Sequence, residues 1–273
     1  MPERPLLWSV DARGVARVTL NRPDVNNAYD GALIQGLHDA MDALGGEPAL
    51  RAVVIAGTGR HFQAGADLKW LNALRTASPQ ENERASRATA AAVDRLNRLP
   101  LPTIALVQGF CVGGGTGLVA ACDVVIAAED AKFAISEVRW GLTAAIIIPQ
   151  LNDAIGVRQV RRYALTGERF DAHEARRIGL VHEVVAAAEL EAAGERIVAA
   201  LLENGPLAMA ETKAIALEHA FGKVGGGVMA RLAESHAAQR QSAEAAEGLA
   251  SFAEKRAANW AVVNKGGHMS GSR

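Results

Sequence analysis

Ala64-Gly65-Ala66-Asp67 and Gly113-Gly114-Gly115, with Glu137 following in Ile135-Ser136-Glu137-Val138-Arg139, decide how this chain is read. Each small-residue turn comes after an apolar run of strand character and leads into a predicted helix. That context predicts backbone N–H groups pointing outward at both turns, able to hold a negative oxygen. Plainer roles fit the same residues. Asp67 is placed to cap a helix begun by Leu68-Lys69-Trp70-Leu71, and the triple glycine suits tight helix–strand packing. Glu137 lies between Phe133-Ala134-Ile135 and Trp140-Gly141-Leu142, an apolar setting that raises a carboxyl's pKa and suits proton transfer near neutrality. A solvent-exposed carboxylate, or one paired with Arg139, satisfies the local sequence as well.

Outward from these turns, the pattern alternates strands with helices. Val15–Leu20 alternates apolar and polar residues behind the turn Asp11-Ala12-Arg13-Gly14, which predicts an opening hairpin. Helical spacing runs over Tyr29–Leu44 and stops at Gly45-Gly46. Ala52–Ala56 reads as a buried strand, Glu81–Leu99 as a helix ended by Pro100, and Thr103–Val107 as the next strand. A short buried helix spans Gly114–Ala121, and Asp123–Ala127 and Phe133–Ile135 complete the strands. Beyond Ile147 the signals are helical: Val157–Leu165, Asp171–Ile178, Leu190–Leu202, Leu207–Ala220 and Ala243–Ala258. The pattern predicts an α/β core over 1–182, a helical subdomain over 183–265 with its border near Gly179 to Val185, and a flexible tail over 266–273.

Composition narrows the function classes. Lys and Arg (29) nearly cancel Asp and Glu (30), leaving a formal charge of −1, so nothing calls for nucleic acid or an anionic membrane as partner. Cys111 and Cys122 sit among small apolar residues; two such thiols make no disulfide framework, and a reducing cytoplasm is expected. No run is long and apolar enough to span a bilayer. Gly109 to Gly114 lacks the lysine of a phosphate-binding loop, and Gly113, Gly115 and Gly117 are wrongly spaced for a dinucleotide fingerprint. His173-Glu174 has no second histidine at zinc-peptidase spacing, so no metal is expected, and Ser136 lacks the glycines of a nucleophile elbow.

At the two turns and Glu137 the chain resembles the crotonase superfamily, the enoyl-CoA hydratases and isomerases, over roughly Val15 to Trp260. The resemblance implies the ClpP/crotonase-like spiral of strand-strand-helix units, a CoA thioester substrate, no cofactor beyond that CoA, and a homotrimer or dimer of trimers. By motif position, the N–H groups of Ala66 and Gly114 form the oxyanion hole and Glu137 falls on the family's second catalytic glutamate. The first glutamate's position holds Gly117, so the site is a single-carboxylate one. For the CoA the resemblance implies the backbone of Ala64, Gly65, Asp67 and Leu68, beside Gly113. A second tunnel wall runs from Arg22 to Ala28, and Phe252 and Lys255 reach the CoA of a neighbouring subunit.

A lone carboxylate suits a Δ3-Δ2-enoyl-CoA isomerase. The stretches Ser136 to Leu142, including Gly141 and Leu142, Ile146 to Pro149 and Gly113 to Leu118 instead resemble bacterial hydratases of branched glutaconyl-CoA thioesters. These act on isohexenylglutaconyl-CoA in acyclic terpene breakdown or on 3-methylglutaconyl-CoA in leucine breakdown. Their second carboxylate implies a cation in the acyl pocket, with Arg139 and Lys69 the nearest in sequence. From another class, the same fold could serve as a non-catalytic or RNA-binding protein; salt-dependent RNA retention separates that alternative.

Overall fold

The structure, a computed structural model, describes residues 4–45, 47, 49–218, 220, 226–256 and 258. The opening hairpin pairs β1 (Leu6–Val10) with β2 (Val15–Leu20), Leu6 opposite Leu20. Its turn closes through Asp11 Oδ1, which accepts from the N–H groups of Arg13 and Val15 at 2.8 and 3.1 Å. Helix α1 (Gly31–Gly45) starts two residues later than the apolar spacing predicts. Asp30 takes the capping position, its Oδ1 accepting from Leu33 N at 2.9 Å, and Tyr29 is released for a different task described below. After β3 (Ala52–Gly57) come α2 (Leu68–Thr76) and α3 (Pro79–Asn97). Asp67 caps α2, and a reciprocal Ser78–Glu81 capping box opens α3.

Strand β4 (Thr103–Val107) leads directly to β5 (Phe110–Val112), then α4 (Gly114–Ala120), β6 (Val124–Ala128) and β7 (Lys132–Ala134). Helix α5 (Ile148–Thr166) breaks at Gly156, whose φ of 75° is non-helical, and the predicted Val157–Leu165 is its second half. There follow β8 (Phe170–Asp171), α6 (Ala172–Ile178), β9 (Glu183–Val185), α7 (Leu190–Leu202), α8 (Pro206–Glu218), α9 (Gly226–Arg240) and α10 (Ala243–Ala253). α10 ends five residues before the expected Ala258, where Lys255 turns into the left-handed region at φ 54°. The tail 266–273 lies outside the described residues.

Six strands form the main sheet in the order β1-β2-β3-β4-β6-β9, parallel from β2 onward. Both faces are covered, which is why β3 and β4 are apolar or small throughout rather than alternating. On one face α1, α3 and α5 bury Leu33, Leu37, Val93 and Leu151; on the other, Leu190, Ala193 and Val198 of α7 pack on Val54, Ile104 and Ile126. β9 and α7 therefore belong to the sheet's own packing, although the sequence placed them beyond the border at 182.

The smaller sheet, β5-β7-β8, positions the site. β5 and β7 are parallel neighbours with Val112 opposite Ala134. Residues leaving their carboxyl ends emerge side by side, so the glycine turn after β5 and the Glu137 turn after β7 meet. The fold is a mixed α/β architecture of the kind the resemblance implies, with helices closing its C-terminal end.

Candidate active site

Tyr29 and Ala66 form an isolated parallel bridge. Tyr29 N donates to Gly65 O at 2.9 Å and Asp67 N donates to Tyr29 O at 2.8 Å. Because peptide groups alternate in direction along an extended segment, those two bonds turn the intervening Ala66 N–H to the opposite side. Gly113 N donates to Ala134 O at 2.9 Å, and the next amide, Gly114 N, opens α4, where no preceding carbonyl can take it. Gly113 itself has φ 56° and ψ −124°, a conformation reserved for glycine. Both turns thus present main-chain donors to one cleft, of about 390 Å³, whose walls include Ala64, Gly65, Ala66, Leu68, Gly113 and Gly114.

Glu137 begins a short 3-10 turn, Glu137–Trp140. Its Oε1 lies 3.2 Å from where a Cβ on Gly113 would sit. Its Oε2 is closed off from solvent and has no hydrogen-bond partner. Burial lifts the carboxyl from its ordinary 4.5 to about 7, only partly offset by the backbone N–H groups of Glu137 and Ser136. Of the two roles open in the sequence, the structure turns the carboxylate inward: Arg139 is exposed and, among the described residues, no ion pair reaches Glu137.

Behind the cleft lies a small inner cavity of about 30 Å³ between α1, α3 and α4, room for little more than a water, with Ile34, Leu37, Val93 and Leu118 among its apolar walls. Tyr29, Gly114, Glu137 and His236 line both spaces and so form the neck between them. Tyr29 packs hard against Gly114: a Cβ there would lie 2.5 Å from the ring. Its phenol is pushed up to about 12 by burial and stays protonated. Three buried polar atoms without partners, Glu137 Oε2, Gln63 Nε2 and Thr143 Oγ1, belong to residues lining this inner cavity.

The other residues drawn from the resemblance divide. Arg139, Leu142 and Phe252 line the cleft. Phe252 sits edge-on to Trp140 at 4.3 Å in its own chain, and Lys255 lies outside the cleft, in an adjoining surface depression that Arg139, Trp140 and Phe252 also line. Gly117 is a correction. It touches neither cavity, because a Cβ there would lie 2.7 Å from Ile147 Cβ; the space a glutamate would need is filled by isoleucine.

Arg22, Ala28 and Asp67 line neither the cleft nor the inner cavity and form a hydrogen-bonded scaffold beside them. Arg22 pairs with Asp30 at 2.9 Å and Asp67 at 3.1 Å and donates to the Ala28 carbonyl. Asp67 Oδ1 in turn accepts from Lys69 N at 2.9 Å. The Lys69 side chain points to solvent, outside both cavities. Gly141, at φ 66°, packs under α10, 2.6 Å from Glu244 O measured from a would-be Cβ.

Sequence patterning missed Tyr29, Gln63, Thr143 and His236. Gln63, a polar residue between the apolar Phe62 and Ala64, was the one visible signal. Among the described residues no three His, Cys, Asp or Glu side chains gather as a metal site, and no helix is long and apolar enough to cross a membrane.

Residues 11–262 match the family model for enoyl-CoA hydratase/isomerase. Over 248 residues the chain is 34% identical to a putative enoyl-CoA hydratase of Thermus thermophilus, covering 90% of this chain and 97% of that protein. It is 39% identical over 193 residues to mevalonyl-coenzyme A hydratase sidH of Aspergillus fumigatus, covering 69% of each. The structure of Pseudomonas aeruginosa AtuE superposes with a TM-score of 0.77 at 37% identity, covering 94% of this chain and 99% of that one.

Proposed function

The chain belongs to the enoyl-CoA hydratase/isomerase family, and from that premise we propose that it adds water across the 2,3 double bond of a branched glutaconyl-CoA thioester. The thioester oxygen sits on the Ala66 and Gly114 amides. Water attacks C3, its proton passes to the Glu137 carboxylate, and the π electrons move onto the thioester oxygen, where two main-chain donors hold the charge. Glu137 then returns the proton to C2 and the enolate collapses, so one water is gained and no other reactant is used. Loss of one oxyanion donor typically costs about 3–4 kcal/mol of transition-state stabilisation. No cofactor is proposed beyond the CoA that the substrate carries.

The observation that carries hydration over isomerisation is the trio of unpartnered atoms on the inner cavity. A buried water needs two to four polar partners. Gln63 Nε2 donates, Thr143 Oγ1 does either, and Glu137 Oε2 accepts, which supplies what the missing second carboxylate would otherwise provide. The Δ3-Δ2 isomerase remains the second reading, favoured by the single carboxylate and by Ile147 in the place of another. The branched glutaconyl group is supported by the sequence resemblance around Glu137.

A mass-resolved assay against isohexenylglutaconyl-, 3-methylglutaconyl-, crotonyl- and 3-enoyl-CoA tests the proposal. A gain of one water on the glutaconyl thioesters is expected. Conversion of the 3-enoyl thioester at unchanged mass, with no hydration of the others, would overturn it in favour of isomerisation.

A further inference from the structure

Arg240, the last residue of α9, is 1% exposed and has no carboxylate partner among the described residues. Its Nη2 donates to Ser86 Oγ at 3.0 Å and to His236 Nδ1 at 3.0 Å, and its guanidinium faces the Trp70 ring at 5.5 Å. Nε and Nη1 have no hydrogen-bond partner. A guanidinium does not give up its proton in a protein, and an unpaired buried charge is strongly unfavourable. The chain keeps one here, a single side chain away from the neck between the cleft and the inner cavity.

His236 stands between that charge and the cavity. Its Nδ1 receives the Arg240 donor and lies 3.1 Å from Ser86 Oγ. A nitrogen that accepts from arginine carries no proton, so the neutral ring holds its hydrogen on Nε2. Burial and the Arg240 charge pull the imidazole down to about 3, which keeps it neutral. The same facts exclude a serine–histidine nucleophile: Ser86 is wholly buried, and an imidazole so hard to protonate is no base. What remains is a neutral imidazole lining the neck between the cleft and the inner cavity, its Nε2–H free of the Arg240–Ser86 side and polarised from behind by a cation with unused donors.

We infer that His236 Nε2–H, backed by Arg240, is the recognition point for a carboxylate carried on the acyl chain. This places the cation expected for a glutaconyl group on α9, where sequence proximity had suggested Arg139 or Lys69. Arg139 lines the outer cleft but is exposed there, and Lys69 is exposed outside both cavities. The inference rests on the acyl-CoA reading above, and it concerns which acyl group is bound, whatever reaction follows.

Equilibrium binding separates the two. Titration calorimetry with glutaryl-CoA and with pentanoyl-CoA, saturated thioesters that differ by a carboxylate in place of a methyl, measures the preference with no turnover. The wild-type protein should bind glutaryl-CoA about tenfold or more tightly, as a charge-assisted hydrogen bond allows. His236→Leu and Arg240→Met should each bring the two affinities within about threefold, and Ser86→Ala should weaken the preference while disturbing the packing least. Equal affinities in the wild type, or an undiminished preference in folded His236→Leu, would overturn the inference. A preserved preference with no hydration of any thioester would sink only the hydratase proposal.

Discussion

Replacing Glu137 by glutamine should abolish turnover and stabilise the protein, and the two effects should part company with pH. The carboxyl ordinarily titrates at 4.5 and here at about 7 because burial disfavours its charge. That displacement corresponds to about 3 kcal/mol, on an order-of-magnitude scale. Below pH 4.5 both folded and unfolded chains hold the proton and nothing is lost. As pH rises from 4.5 to 7 the unfolded chain ionises first, so this group's contribution to stability declines, and above 7 the full cost is present. Glutamine keeps the shape and never ionises. Glu137→Gln should therefore match the wild type in melting temperature at pH 4.5 and exceed it by roughly 5 °C at pH 8. Hydration should fall at least about 10³-fold, since one group serves both proton transfers. In the wild type, kcat should rise with pH through about 7, because the carboxylate form is needed to take the proton from water. Calorimetric melting at several pH values and a stopped assay for water addition read both sides. Activity within tenfold of wild type, or a stability gain independent of pH, would refute the assignment of Glu137 as a buried, ionising proton carrier.

Thr143→Val removes a hydroxyl at nearly constant shape; hydration should drop about tenfold, while α-proton exchange of a saturated acyl-CoA in deuterium oxide, which needs only Glu137 and the amides, continues. Parallel loss of both would count against a water seat. Gly117→Ala should cost about 1–3 kcal/mol by overpacking against Ile147, seen in urea denaturation and partly relieved by Ile147→Ala; an unaltered midpoint would show that the cleft between α4 and Ile147 has slack.

Much of the core was legible because burial on two faces writes itself into long apolar runs: Thr103–Val107 matches β4 at both ends. The Asp67 cap was legible for a local reason, an oxygen placed before the first turn of a helix. Strands β5, β8 and β9 were not seen as such, since at two or three residues no alternation registers; the equally short β7 showed only as the apolar run Phe133-Ala134-Ile135. α9 escaped because its apolar residues are small and spread around the helix, leaving no stripe. His236 and Arg240, four apart on it, look in sequence like a solvated basic face, and only the packing of α9 on α3 turns that face inward. Gly117 misled for the opposite reason. The motif position is right, but Ile147, thirty residues on, decides what can stand there.

The donor at Ala66 is aimed by the bonds its neighbours make to Tyr29, so side-chain replacement cannot delete it. A mutational scan that finds position 66 permissive would be recording indifference to the methyl group, with the reacting dipole untouched beneath it. Interrogating that dipole requires editing the polymer itself, for instance by a semisynthetic ester linkage that swaps the N–H for oxygen and leaves the methyl in place.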